Sequence, residues 1–230
     1  MNLSLIENNI KKITIIFFFS YFIIGMSLVK DYGVSSDEYQ HRYHGFFYLN
    51  YVGKKISPNL VNKYKQDKSY PNFDDYDNNY YGGVIYNASI ALFERLLKIE
   101  DKKYQFVFKH YINYIIFFLS LISFYQIAQI RFSKSIYPLI GVIMLFLSPR
   151  IFANSFYNPN DLIFMSFCIF VTRYALSFFT NPNLKNVFLF SFFTAIAINM
   201  RIMGIIVPSL FFFILFFYIL SNKSLLNNYL

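Results

Sequence analysis

Residues 111–130 read YINYIIFFLSLISFYQIAQI, an apolar stretch without a single charged side chain. A stretch of this kind is long enough to cross the hydrocarbon core of a bilayer, which takes about 20 apolar residues in an α-helix. Further apolar runs lie at 13–29, 136–147, 161–179, 187–198 and 202–220. The sequence therefore predicts an all-α membrane protein with about six transmembrane helices, of which 136–147 and 187–198 are the shortest.

The overall composition agrees with this class. Of the 230 residues, 56% are hydrophobic and only 14% are charged, whereas a soluble domain carries about 25% charged residues. The formal net charge of +9 comes mainly from basic residues in loops beside the apolar runs. That placement favours anionic membrane lipid, and not nucleic acid, as the partner of the basic residues.

The basic residues of the short loops also predict the orientation. If the N-terminus is cytoplasmic, one face collects Lys11, Lys12, Arg131, Lys134, Lys185 and Lys223, as expected for the cytoplasmic side of a membrane protein. Arg173, inside the fourth run, is then expected to extend to that same surface. We expect an integral protein of a bacterial cytoplasmic membrane, with residues 30–109 as a long external loop.

Two amphipathic helices are predicted inside this external loop. The first follows Ser35, which can act as an N-cap with Glu38 at position N3 in a capping box. The second shows apolar residues at helical spacing, with Glu94 and Arg95 on another face; these apolar positions are Ile85, Ala88, Ala91, Leu92, Leu96 and Ile99. Both helices suit a position in the membrane interface.

The adjacent acids Asp37 and Glu38 are the strongest candidates for chemistry. They lie just outside the first apolar run, where a carboxylate could deprotonate an acceptor hydroxyl. The alternative is that they only stabilise the start of a helix, since acidic residues favour the N-terminal turn.

Other polar residues fall on the same predicted face. Arg150 and Arg201 could each hold a phosphate through the fixed fork of guanidinium donors, although lipid headgroups are an alternative partner. Asn158 and Asp161 flank a proline turn, where Asp161 could simply cap the fourth run. Asp37, His41 and His44 are spaced i, i+4, i+7, so a divalent metal is a further alternative.

Taken together, these segments resemble the membrane-embedded GT-C glycosyltransferases, particularly the protein O-mannosyltransferase and aminoarabinose-transferase branch. The matching features are the first span, the Asp37-Glu38 pair that opens a long external loop, and three segments, YYGG at 80–83, SPRIFANSFYNPND at 148–161 and NMR at 199–201. The resemblance covers nearly the whole chain and corresponds to the N-terminal half of such an enzyme.

The resemblance implies a fold, a reaction and roles for the candidate residues. A sugar would be transferred with inversion from a polyprenyl-phosphate carrier to an acceptor hydroxyl of a protein, lipid or glycan on the external face. Asp37 or Glu38 would be the base, Arg150 and Arg201 the phosphate contacts, with His41, Asn158 and Asp161 in support. Two alternatives remain: a non-catalytic membrane fragment or scaffold, and a transporter subunit, which should carry more ionisable residues inside its spans.

Overall fold

The computed structural model describes residues 3–59, 82–132 and 134–221, which form helices joined by short connections, with no strand among them. The all-α class predicted from the sequence is confirmed. The α-helices are α1 Leu3–Leu28, α2 Ser36–Ile56, α3 Val84–Leu96, α4 Lys102–Arg131, α5 Ile136–Leu147, α6 Pro149–Tyr157, α7 Phe164–Thr180, α8 Leu184–Met200 and α9 Ile206–Ser221. Short 3-10 segments at Val29–Asp31 and Ile202–Ile205 follow α1 and precede α9, and a π-helical turn at Pro159–Ile163 precedes α7.

The number of full spans is smaller than the six predicted. Four segments of the described chain are long and apolar enough to cross a membrane: Glu7–Asp31, Lys102–Arg131, Pro159–Thr180 and Ile202–Ser221. The pair α5 and α6 becomes a fifth only if it is counted as one broken span, and α8 is a shorter apolar helix. The two shortest predicted spans, 136–147 and 187–198, are thus the two that do not form a full span on their own.

The break between α5 and α6 explains the first of these differences. The two helices are bent by 69° at Ser148. Pro149 occupies the first turn of α6 and disfavours the helical conformation of the residue before it. The 12 residues of α5 extend for only about 18 Å, which is less than the thickness of about 30 Å of a hydrocarbon core.

The two ends of the helical bundle are each held by contacts between distant segments. At one end, Glu7 of α1 accepts a hydrogen bond of 2.7 Å from the Ser135 hydroxyl, just before α5. At the other end, the Asn199 carbonyl accepts from the Gly83 amide at 2.8 Å. The Glu7 end carries Arg131, Lys134 and Lys185, as the sequence predicted for one face, while Lys223 lies outside the described residues.

The connection between α3 and α8 also brings together two of the segments singled out in the sequence. Gly82 and Gly83 both have positive φ angles, and a Cβ atom added to Gly82 would come within 2.4 Å of the Met200 carbonyl oxygen. The Asn199 side chain accepts a further hydrogen bond from the Ile85 amide at 2.8 Å. Glycine is therefore required sterically at Gly82; residues 80 and 81 of the YYGG segment lie outside the described residues.

Both predicted loop helices are present as α2 and α3, but the prediction of which face of α3 is buried was wrong. The sequence suggested that the charged residues of α3 face away from its partners. Instead, Glu94 and Arg95 are buried against α2 and α4, while Ile85, Leu92 and Leu96 of the apolar stripe are exposed. The charged face is inward because α2 supplies Arg42 as a partner for Glu94.

Helix α4 is the central element of the described fold. It contacts α1, α5, α6 and α7 along its length. Its Tyr114 is fully buried, donates a 2.7 Å hydrogen bond to the Tyr21 carbonyl and stacks on Phe156 of α6. Aromatic side chains thus fill the junction of α1, α4 and α6, and this packing fixes the position of the turn that follows α6.

Candidate functional site

The candidate site begins at the N-terminus of α2, where the two adjacent acids have different environments. Glu38 is fully buried and Asp37 is exposed. The capping box is confirmed, because the Glu38 carboxylate accepts a 3.0 Å hydrogen bond from the Ser35 amide. Only Asp37 is in a position to meet a ligand from outside.

Glu38 is held by residues of α4. Its carboxylate oxygens lie 2.9 and 3.1 Å from Nε2 of His110, which is also fully buried, and the Lys109 ammonium is 4.0 Å away. A buried carboxylate needs such partners, since an isolated charge in an apolar interior is very unfavourable. These contacts anchor the first turn of α2 to α4 and so fix the direction in which Asp37 points.

Asp37 lines a cavity of about 220 Å³ at the end of the bundle opposite Glu7. The walls come from the start of α2, from the turn between α6 and α7, and from the residue that follows α8. Its lining consists of Ser35, Asp37, His41, Tyr157, Asn158, Pro159, Asn160, Asp161 and Arg201. Five of the seven residues predicted for the site therefore border one cavity: Asp37, His41, Asn158, Asp161 and Arg201.

The far wall of this cavity is a small polar network. Asn158 is the cap of the π-helical turn, and its side-chain oxygen accepts from the Asp161 amide at 3.0 Å. The Asn158 amide group donates to the Asp161 carboxylate at 3.1 Å. The other carboxylate oxygen of Asp161 forms an ion pair with the guanidinium of Arg201. The cap of this turn is Asn158 and not Asp161, which lies in the first turn and positions Arg201.

The ion pair leaves Arg201 accessible. The Arg201 and Asp161 side chains are 42% and 55% exposed, so the pair is weak in water-accessible surroundings. A phosphate group could compete for the same guanidinium, because charge-assisted hydrogen bonds to phosphate are strong and Arg has donors to spare. The cavity thus offers both a carboxylate and a replaceable cation.

His41 forms the inner wall of the cavity and is almost fully buried. Its pKa is lowered to about 4, mainly by burial and in addition by the positive charge of Lys109, while the charge of Asp37 acts in the opposite direction. The imidazole is therefore neutral at ordinary pH and offers one donor and one acceptor nitrogen. It contributes hydrogen-bonding capacity to the cavity without adding charge.

The sequence missed the buried polar layer beneath the cavity. The guanidinium of Arg42 donates from Nε to both carboxylate oxygens of Glu94, at 3.1 Å each. Burial raises the pKa of Glu94, although the hydrogen bonds from Arg42 act in the opposite direction. The signal for this layer was a polar stripe at helical spacing on α4, formed by Gln105, Lys109, His110 and Asn113.

Two of the seven predicted site residues, Glu38 and Arg150, do not line the cavity, and neither does His44 of the metal alternative. Glu38 lies behind the cavity, as described above. Arg150 sits at the opposite end of α6 from Tyr157, about 10 Å along the helix axis, and does not line the cavity. His44 is buried, which lowers its pKa, and is likewise absent from the lining. Among the residues that the structure describes, no three His, Cys, Asp or Glu side chains form a metal-binding group, so the proposed face of Asp37, His41 and His44 is not assembled.

Comparisons of the chain with protein-family models, with curated proteins and with solved structures find no match. The chemistry of the cavity itself is therefore what points to a class of reaction. It combines an exposed carboxylate, a neutral imidazole and an accessible guanidinium at the end of apolar helices. These groups suit a reaction in which one partner must lose a proton and another carries negative charge at a membrane surface.

Proposed function

We propose that the chain is a glycosyltransferase that moves a sugar from a polyprenyl-phosphate donor to an acceptor hydroxyl at the membrane surface. The observation that carries this proposal is the cavity of about 220 Å³ in which Asp37 and His41 of α2 meet Arg201, which follows α8. The order of those segments, and their resemblance to the GT-C pattern, add support. A donor with a lipid tail also accounts for a polar cavity at the end of membrane helices.

Asp37 acts as the base in this proposal. Its carboxylate takes the proton of the acceptor hydroxyl as the hydroxyl oxygen attacks the anomeric carbon of the sugar. The new carbon–oxygen bond forms on the face opposite the phosphate, so the configuration at the anomeric carbon inverts. The bond between the anomeric carbon and the phosphate oxygen breaks, and its electron pair leaves with the polyprenyl phosphate.

Arg201 contacts the leaving phosphate. Negative charge increases on the phosphate oxygen as the bond breaks, and a guanidinium within hydrogen-bonding distance stabilises that charge. Asp161 holds Arg201 at the cavity before the donor binds, and Asn158 in turn holds Asp161. His41, which is neutral because of its low pKa, hydrogen-bonds a hydroxyl group of the sugar or the acceptor.

We propose that the cavity faces the outside of a bacterial cytoplasmic membrane. The support is the distribution of basic residues, since Arg131, Lys134 and Lys185 all lie at the end of the bundle far from the cavity. Short loops rich in Lys and Arg are retained on the cytoplasmic side.

The test is transfer of radiolabelled sugar by membranes that contain the protein, with polyprenyl-phosphate mannose and polyprenyl-phosphate aminoarabinose as donors. The Asp37→Asn variant removes the base and nearly preserves the shape of the side chain. We expect it to lower the transfer rate about 100-fold or more. Asp31→Asn is the matched control, because Asp31 is an exposed acid close by that does not line the cavity.

Equal amounts of inserted protein in the two variants ensure that rates and not expression are compared. Full activity of the Asp37→Asn variant would refute Asp37 as the base. Absence of transfer by the wild-type chain with either donor would instead favour the non-catalytic scaffold. An Arg201→Gln variant adds a second measurement. If Arg201 holds the phosphate, this variant should raise the KM for the donor more than the KM for the acceptor.

A further inference from the structure

An apolar groove of about 480 Å³ opens on the lipid-facing side of the bundle, between α4, α7 and α8. Its size is within the range of about 300–1,000 Å³ that is typical of ligand sites. The lining is aliphatic and aromatic apart from the hydroxyl groups of Ser123 and Tyr174, and it also includes Ile116, Leu119, Phe167 and Phe193. The stacked rings of Tyr174 and Phe193, 5.4 Å apart, form one wall.

A cation lies beside this groove, next in sequence to the lining residue Tyr174. Arg173 lies one turn beyond Phe170 on α7, and its guanidinium is 5.9 Å from the ring of Tyr174. The Nε group donates a 3.0 Å hydrogen bond to the side chain of Gln126, which lies one turn beyond Ser123 on α4. A second donor of Arg173 contacts the Ser177 hydroxyl. A guanidinium that is held in place from two helices therefore lies next to the groove.

The charge of Arg173 is not balanced by the part of the chain that the structure describes. No carboxylate of the described residues pairs with it, and only two of the five guanidinium donors have the acceptors named above. An arginine inside a membrane segment is costly unless an anion or water reaches it. The side chain is half-buried, so an external anion has access.

We propose that this groove binds an anionic phospholipid, with an acyl chain along the apolar walls and the phosphate against Arg173. A phospholipid supplies both parts in one molecule, because its phosphate is the partner that a planar guanidinium prefers. Basic pockets between membrane helices are known to favour anionic headgroups. This site does not depend on the proposed transferase activity.

The lipid site is also separate from the cavity at Asp37. Arg173 is twelve positions beyond Asp161, which corresponds to about 18 Å along the helix axis. Arg173 is close to the end of α7 where Thr180 and Lys185 lie, whereas Asp161 and Arg201 lie at the other end. A phosphate on Arg173 therefore cannot be the phosphate that contacts Arg201.

The test is native mass spectrometry of the full chain in detergent, titrated with phosphatidylglycerol or with phosphatidylcholine of the same acyl chains. We expect one tightly bound phosphatidylglycerol, with an affinity about fivefold or more above that of phosphatidylcholine, from one basic contact. The Arg173→Gln variant should lose this preference. Arg131→Gln is the matched control, because Arg131 is an exposed arginine at the same end of the bundle and outside the groove.

A second variant guards against loss of folding in Arg173→Gln. Ser123→Phe fills the groove and leaves Arg173 in place, so it should lower the affinity for both lipids. Ser123→Ala should lower the affinity for neither. Inorganic phosphate should not displace the bound lipid, since it lacks the chain that occupies the groove. Equal affinity of the wild type for the two lipids, or a preference that survives Arg173→Gln, would overturn the proposal.

Discussion

Two neighbouring carboxylates at the start of α2 have separate tasks in this protein. The Glu38 carboxylate is hydrogen-bonded to His110 and to the Ser35 amide, so it stabilises the fold. Asp37 borders the cavity and remains exposed. The sequence predicted the capping box from the spacing of Ser35 and Glu38 alone. It could not separate the two acids, because His110 is 72 residues away and only tertiary packing brings it to Glu38.

His41 leads to a prediction about the pH dependence of stability. In the unfolded chain its imidazole binds a proton near pH 6.5, whereas in the folded protein burial lowers the pKa to about 4. The unfolded state therefore binds more protons between these values. We expect the free energy of unfolding to decrease as the pH falls from about 6.5 to about 4, by roughly 2–3 kcal/mol from this residue.

The measurement is thermal or denaturant unfolding in detergent between pH 4 and pH 8. The His41→Asn variant should lose the part of this pH dependence that His41 contributes, because its side chain does not titrate. His44→Asn is a useful comparison, since burial lowers the pKa of His44 as well. A wild-type protein with no loss of stability down to pH 4 would contradict this assignment.

The close contact between helices α2 and α3 helps to position the site. Gly45 allows it, because a Cβ atom at this position would come within 2.4 Å of the Asn87 carbonyl oxygen. Backbone atoms cannot move aside as a flexible side chain can. The contact brings Arg42 to Glu94 and keeps the start of α2 at the cavity.

We predict that Gly45→Ala separates the two helices and lowers the unfolding temperature by roughly 2–10 °C, the range expected for overpacking by 1–3 kcal/mol. Gly33→Ala is the matched control, since a Cβ atom at Gly33 meets nothing within 4 Å. Unfolding curves of the purified variants in detergent measure the difference. Equal unfolding temperatures of the two variants would show that the helices do not depend on this close approach.

Helices α5 and α6 show why the position of Arg150 was not predictable. The apolar run that precedes Arg150 suggested a complete span, which would carry the arginine to the outer face. The chain bends by 69° at Ser148 instead, and Arg150 lies at the far end of α6 from the cavity turn. A proline marks a helix boundary in a sequence, but it does not give the direction of the next helix.

The arrangement of the whole bundle was more accessible to sequence reasoning than the details of its interior. The alternation of apolar runs and basic loops correctly grouped Asp37, Asp161 and Arg201 at one end. The buried pairs that support the cavity were missed, since Arg42 and Glu94 are 52 residues apart. Charged residues in a loop look solvated until the folded structure provides their partners.

The two ends of the bundle should be accessible from opposite sides of the membrane. We predict that a Val34→Cys variant, in a Cys168→Ser background, reacts with a membrane-impermeant maleimide in intact cells. A Lys185→Cys variant should react only after the membrane is permeabilised, because it follows the span Pro159–Thr180, which begins at the cavity end. Both positions are exposed, so burial does not explain a difference. Reaction of both variants in intact cells would contradict the arrangement.

The inward charges and outward apolar surfaces of α2 and α3 have a consequence for how the protein is made. The loop at 30–109 leaves the ribosome before α4 is complete, and at that stage Glu38 lacks His110. Docking of α2 must therefore follow insertion of α4. Before that step, α2 and α3 lie at the membrane surface with their exposed apolar side chains against lipid. For the same reason, a recombinant fragment made of this loop alone would lack His110, the buried hydrogen-bond partner of Glu38.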